Sequence, residues 1–191
     1  IDVLGAIIPE LLPLRGFDQH TPYHCYDILE HTAYVVQYVN PTPLLRWAAL
    51  LHDIGKPAMF FVDGQGIGHF KGHARVSGDI ARDIMQRLKM RPRFARHVEM
   101  LVRQHDDRVE PSERAVKRRL AKLEYDPDLM RALCNLKRAD ALAHSPDYRT
   151  PRVERSAAVL SCLDKILEEE QAFKISDLAI NGSDVIAAGI Q

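Results

Sequence analysis

Residues 44–59 read "LLRWAALLHDIGKPAM". An apolar run through Trp47, Ala48, Ala49, Leu50 and Leu51 ends on an imidazole and a carboxylate, His52 and Asp53, followed by Gly55, Lys56 and Pro57. The pattern predicts a buried helix with Thr42 as N-cap and Pro43 at its first position, stopped by Gly55 and Pro57. Neighbouring side chains on a helix diverge by about 100°. His52 and Asp53 therefore reach a common ion only near the helix end, where they splay around it. The other reading is a pair that caps and anchors that end.

Working outward, helical signals dominate. Residues 27–39, "DILEHTAYVVQYV", place Ile28, Leu29, Val35, Val36 and Val39 on a helical face. Downstream of the central helix, "FFVDGQGIGHFKGH" predicts a short hairpin or folded loop near 59–70. Further helices are expected over about 74–89 and 93–104 and from Ser112 to Leu123. Two more run from Asp126-Pro127 to His144 and from Thr150-Pro151 to Glu170, each opened by a cap and a proline. The tail "FKISDLAINGSDVIAAGI" suggests an extended piece, a turn at Asn181-Gly182 and a helix started by Ser183. No repeat or low-complexity linker interrupts the chain. The expectation is one mostly α-helical domain over residues 1–191.

Composition bounds the rest. The 191 residues suit a single core, and Lys+Arg and Asp+Glu both number 26. No global field then draws the chain to nucleic acid or membrane, and a polyanion contact needs a local patch. No apolar run approaches the ~20 residues that span a bilayer. Cys25, Cys134 and Cys162 form no CxxC, so neither a disulfide frame nor a thiolate zinc site is indicated, and a cytoplasmic protein is expected. The chain opens on Ile1 rather than Met and reads as a piece of a longer protein. Nine histidines exceed what packing needs.

Two residues join the central pair from other helices: His31 in "LEHTAY" and Asp140 in "LKRADALAH". An unpaired carboxylate on an apolar-faced helix is costly. Singly, His31 reads as a core histidine and Asp140 as a helix-to-helix hydrogen bond. An imidazole–carboxylate set suits Mn, Fe, Co, Ni or Zn, with Mg admitted, rather than calcium.

The order His31, His52-Asp53, Asp140 resembles the HD superfamily of metal-dependent phosphohydrolases, and "HDIGK" is one form of its central motif. The resemblance implies an all-α HD-type helical bundle, its metal-site core over about 22–145 and a C-terminal helical extension over 150–191. It makes His31, His52, Asp53 and Asp140 the ligands of one ion. His73 and His105 then hold a second, with Asp53 bridging, or serve as substrate contacts or caps beside a single ion. Asp53 and Lys56 are the implied catalytic residues, Lys56 also as a phosphate contact, while His24, close in sequence to the site, reads either as a support for the ligands or as a substrate-facing residue. A divalent ion held this way activates water and polarises a phosphoryl oxygen. His20, His69, His97 and His144 read as surface or packing residues, and the Tyr and Phe residues as core.

The segments "PLRGFDQHTPYHCYDILEHT", "GHFKGHARVSGDIA" and "ISDLAINGSDVIAAGI" narrow the likeness to the HD domain joined to bacterial tRNA nucleotidyltransferases of the CCA-adding group. That family's transferase head, with its strand-borne Asp-x-Asp, is missing from this sequence. The chain accordingly reads as the C-terminal part of a nucleotidyltransferase-like protein, with the head of the parent chain as one partner. The implied activity is that of a phosphatase or 2′,3′-cyclic phosphodiesterase on nucleotides or RNA 3′ ends. The alternatives are a tRNA-positioning module with a non-catalytic metal site and an independent HD nucleotide phosphohydrolase. For RNA contact the candidates are Arg87, Lys89, Arg91 and Arg93, then Arg118 and Arg119, in two basic stretches that read equally as solvated helix faces.

Overall fold

Asp27 opens the bundle: its side chain accepts from the Glu30 backbone N–H and starts α2 (Ile28–Tyr38). The computed structural model describes residues 2–23 and 25–172. Ahead of α2 lie α1 (Asp2–Ile7) and a 3-10 turn (Pro9–Leu14), neither anticipated from the sequence. Thr42 caps α3 (Pro43–Leu51) through the Leu45 N–H, as the Thr-Pro signal requires. Pro57 does not end that helix. α3 closes at Leu51, and after a turn through His52–Gly55 Pro57 sits in the first turn of α4 (Lys56–Met59), where its missing N–H costs nothing.

The expected hairpin is present as β1 (Phe61–Val62) paired antiparallel with β2 (Gly68–His69), Phe61 opposite His69. Then follow α5 (His73–Arg87), α6 (Pro92–Gln104), α7 (Glu113–Lys122) and α8 (Pro127–Leu142). The last, α9 (Pro146–Ala172), begins a turn earlier than Thr150-Pro151 suggests. Pro146 opens the helix, where its missing N–H costs nothing, and Pro151 is accommodated inside it. Among the described residues the architecture is all-α apart from that hairpin. His24 and the tail segment 173–191 lie outside the described residues.

The core is continuous across these helices, built on fully buried Ile28, Val35, Leu51, Ile84, Met85, Leu101, Leu133 and Leu136. Each such side chain contributes roughly 1.5–3 kcal/mol on burial, which is what clamps the helices that carry the polar cluster described next. Phe17, Phe60 and Phe70 pack on one another beside the hairpin. The expectation that the Tyr and Phe residues are core fails for Tyr23, Tyr38, Phe61 and Tyr125, all of them exposed, the last two by 52% and 75%. Among the described residues no helix is long and apolar enough to cross a membrane.

Candidate metal centre

His52 occupies the C-cap of α3, and its ring folds back so that Nδ1–H donates to the Ala49 carbonyl at 2.7 Å. His105 repeats this at the end of α6, donating to Val102 O at 2.7 Å. Each ring thus satisfies a carbonyl that a helix end leaves without an intrahelical partner. His73, the first residue of α5, donates from Nδ1 to Phe70 O at 2.9 Å, and His31 in α2 lies 3.4 Å from Ala143 O in the same sense. Carbonyls only accept, so Nδ1 carries the proton in these rings and Nε2 is left as the ligating atom.

The Nε2 atoms converge on Asp53, which is 2% exposed. Its Oδ2 faces His52 at 3.1 Å and His31 at 3.7 Å, and its Oδ1 faces His73 at 3.2 Å and His105 at 3.5 Å. Asp140 closes the first half, with Oδ1 3.0 Å from His31 Nε2 and 3.8 Å from His52 Nε2. His31, His52 and Asp53 form one trio with ligand atoms within 4.8 Å of one another, and Asp53, His73 and His105 form a second.

The donors fit metal ions. His52 Nε2 is buried and makes no hydrogen bond, although a carboxylate oxygen stands 3.1 Å away. The Nε2 atoms of His73 and His105 oppose each other at 3.2 Å while both Nδ1 positions are committed to backbone carbonyls. Such an array of inward-facing lone pairs calls for cations. Burial works to raise the Asp53 carboxyl, but His52, Lys56 and His105 outweigh it and hold the group well below the usual carboxylate range. Asp140 behaves alike: burial opposes ionisation, and His144 and His31 overcome it. Both carboxylates are therefore charged and ready to ligate.

Lys56 does not stand free for a ligand. Its ammonium lies 2.8 Å from Asp53 Oδ2, donates to Gln19 Oε1 at 2.7 Å, and sits 5.1 Å above the Phe70 ring. Gln19, 1% exposed, enters the site from the loop before α2 and carries no periodic signal that a reading of the chain could detect. His144 is the second residue missed. It is 4% exposed, its Nδ1–H donates to the Asp140 carbonyl at 2.7 Å, and its Nε2 accepts from Arg152 at 2.7 Å. With both nitrogens so engaged it supports Asp140 and His31 rather than ligating, though it falls in a cluster with them. Its i+4 spacing from Asp140 on α8 was the available clue.

Two glycines position these groups. Gly72 has φ +86°, a left-handed conformation that frees the chain to start α5 directly on His73. At Gly55 a Cβ would fall 2.6 Å from the Ser77 backbone nitrogen, so only glycine lets the His52–Gly55 turn lie against α5.

The basic stretches fare differently. Arg87 pairs with Glu10, Arg96 with Glu124, and Lys117 with Glu113. Arg119 is turned inward, 7% exposed and bonded to Gln104 and Asp107. Lys89, Arg91, Arg93 and Arg118 remain on the surface.

A helical bundle that gathers imidazoles and carboxylates from separate helices around one shared aspartate defines a class of metal-capable α-helical domains. A family model for the HD domain matches residues 23–144, and the chain belongs to that family. It is 34% identical over 177 residues to the CC-adding tRNA nucleotidyltransferase of Thermus thermophilus, covering 88% of this chain and 38% of the relative. Identity to the A-adding tRNA nucleotidyltransferase of Deinococcus radiodurans is also 34%, over 138 residues, 68% of this chain and 31% of the relative. The bifunctional uridylyltransferase/uridylyl-removing enzyme of Ruegeria pomeroyi is 29% identical over 164 residues, 74% of this chain and 16% of the relative. The chain thus spans well under half the length of each.

Proposed function

We propose that this domain is a metal-dependent phosphohydrolase acting as a phosphatase or 2′,3′-cyclic phosphodiesterase on nucleotides or RNA 3′ ends. The observation that carries it is the split of Asp53, each oxygen facing a different imidazole pair. His31, His52, Asp53 and Asp140 would hold one divalent ion, and His73 and His105 with Asp53 would hold a second. Mn, Fe, Co, Ni or Zn suits this donor set. Bound ions supply water activation and polarisation of the phosphoryl oxygen. The chain's own part is positional. The backbone carbonyls at Ala49, Phe70, Val102 and Ala143 hold the rings in their ligating tautomer, and Asp140 faces the neighbouring cleft. Lys56 acts through Asp53, anchoring Oδ2 and offsetting its charge, so its Ala variant should shift metal affinity before it alters substrate affinity. The uridylyl-removing relative supports a hydrolytic reading.

The test pairs metal analysis of the purified protein with hydrolysis of 2′,3′-cyclic nucleotides. A transition metal near one or two equivalents and turnover abolished in Asp53→Ala are expected. A protein that takes up no metal under any loading condition overturns the proposal. The names of the tRNA nucleotidyltransferase relatives favour a second reading, a tRNA-positioning module of a longer chain with a non-catalytic site. Under it, salt-dependent tRNA binding survives Asp53→Ala and no hydrolysis is seen with metal bound.

A further inference from the structure

His144 sits just past the end of α8, buried, with its ring edge-on to His31 at 5.2 Å. Its Nδ1 stands 3.7 Å from Asp140 Oδ1, and His31, Asp140 and His144 offer ligand atoms within 4.8 Å of one another. By distance alone this imidazole is a further donor to the half of the cluster that His31, His52, Asp53 and Asp140 already serve. Two arginines of α9 keep it from that use. Arg152 Nη1 donates to His144 Nε2 at 2.7 Å, and Arg149 Nε donates to the His144 carbonyl at 2.6 Å. Three residues apart, the two guanidiniums share a helix face. A guanidinium has donors and no acceptor, so Nε2 must present its lone pair to Arg152, and the ring proton sits on Nδ1. That proton goes to the Asp140 carbonyl at 2.7 Å. The start of α9 is itself pinned. Ser145 donates from its backbone N–H and its Oγ to the Tyr23 carbonyl at 2.9 and 3.0 Å, and the Tyr148 ring meets Tyr23 edge-on at 4.6 Å.

We propose that Arg152 is a positioning residue that keeps His144 out of the ligand set. By occupying the only lone pair of the neutral ring, it makes His144 a brace for Asp140 rather than a competitor for the ion. The position that His144 would otherwise fill is left to substrate. The inference rests on the hydrolase reading above, because a catalytic metal site needs an open position whereas one closed by protein ligands is structural. Arg149 and Arg152 lie beyond residues 23–144, so the lock comes from outside the part of the chain that matches the HD family.

The test has a metal-free and a metal-loaded arm, both on the full chain. Long-range proton–nitrogen NMR of the chelated protein reads the ring tautomer directly: His144 should carry its proton on Nδ1, and Arg152→Ala should release it into a mixture of tautomers. With a single equivalent of manganese, pulsed paramagnetic resonance counts coordinated imidazoles. Arg152→Ala should show one more than the unsubstituted chain, keep its metal, and lose about ten- to a hundredfold in turnover of 2′,3′-cyclic nucleotides. Arg152→Lys, which keeps a donor, should retain the original count. Adding His144→Ala to Arg152→Ala should remove the extra imidazole, and unchanged melting curves for the Arg152 variants show that they fold. An imidazole count unaltered by Arg152→Ala, or an extra imidazole that survives His144→Ala, overturns the proposal, as does a chain that takes up no manganese. If Arg152→Ala adds the imidazole while the unsubstituted chain hydrolyses nothing, the lock stands and the hydrolase reading is removed instead.

Discussion

The metal cluster and the basic helical stretches are both rich in charge, and the fold treats them in opposite ways. In the cluster, side chains from α2, α8 and the ends of α3 and α6 are brought inward to within a few ångströms of one carboxylate, and burial is offset by their mutual attraction. Along residues 84–98 and 113–122 the cations other than Arg119 face outward, and several meet acids from distant parts of the chain, as Arg87 meets Glu10 and Arg96 meets Glu124. A buried charge is held by geometry and is expensive to disturb; a surface charge is screened and replaceable. The difference makes the cluster the place where single substitutions matter most.

The sharpest way to break the contrast is Asp53→Ala. Removing the residue shared by both trios should cost more than about a hundredfold in metal affinity, beyond what outer-shell partners typically contribute. Metal titration followed by spectroscopy or mass spectrometry measures it, and a variant that still binds two ions tightly contradicts the bridging role. His144→Ala comes next. Freed of its imidazole support, Asp140 should lose about ten- to a hundredfold in metal affinity, whereas an unchanged affinity makes His144 mere packing.

Gly55→Ala tests the scaffold instead of the ligands. The new methyl collides with the α5 backbone at Ser77, and the shift needed should cost about 1–3 kcal/mol in urea unfolding, with metal affinity falling in step because His73 moves. Normal stability in that variant means the turn and α5 are not in fact pressed together.

A pH series separates the ion-free from the loaded state. Burial works to lower His52 and His73, but Asp53 outweighs it and raises both above the ordinary 6.5. A raised histidine contributes stability that is complete below its unfolded value and lost as pH climbs through the folded one. The chelated protein should therefore lose stability as pH rises above 6.5, while metal, competing with those same protons, binds better. The gap in melting temperature between loaded and chelated protein should widen by several degrees over that range, and a constant gap refutes the proton competition. The smallest effects belong to the surface. Under the tRNA-positioning reading, Arg93→Ala and Arg118→Ala should each lower the salt slope of tRNA binding by about 1 without altering stability, and an unchanged slope removes these two from any RNA surface. Arg119→Ala should instead destabilise the fold, since its guanidinium is buried on Asp107.

Much of this was legible in the chain. Helix positions follow from apolar spacing and from Thr42-Pro43 and Asp126-Pro127 caps, because these are local effects of backbone and side-chain chemistry. His31, His52, Asp53 and Asp140 read singly as packing or hydrogen-bonding residues, and it was their order, His then His-Asp then Asp, that resembled the HD set. Pro57 and Pro151 misled, since a proline disrupts a helix interior yet suits a first turn, and which turn is first depends on neighbours it packs against.

By itself, then, the sequence determined the all-α class, a hairpin or folded loop near 59–70 and the residue types capable of holding metal. Only the tertiary structure decided that Gln19 meets Lys56, that His144 braces Asp140, that Arg119 turns inward and that α8 and α9 enclose a cleft beside the cluster. Those contacts join positions far apart in the chain, and no local periodicity encodes a distance that closes only when the helices pack.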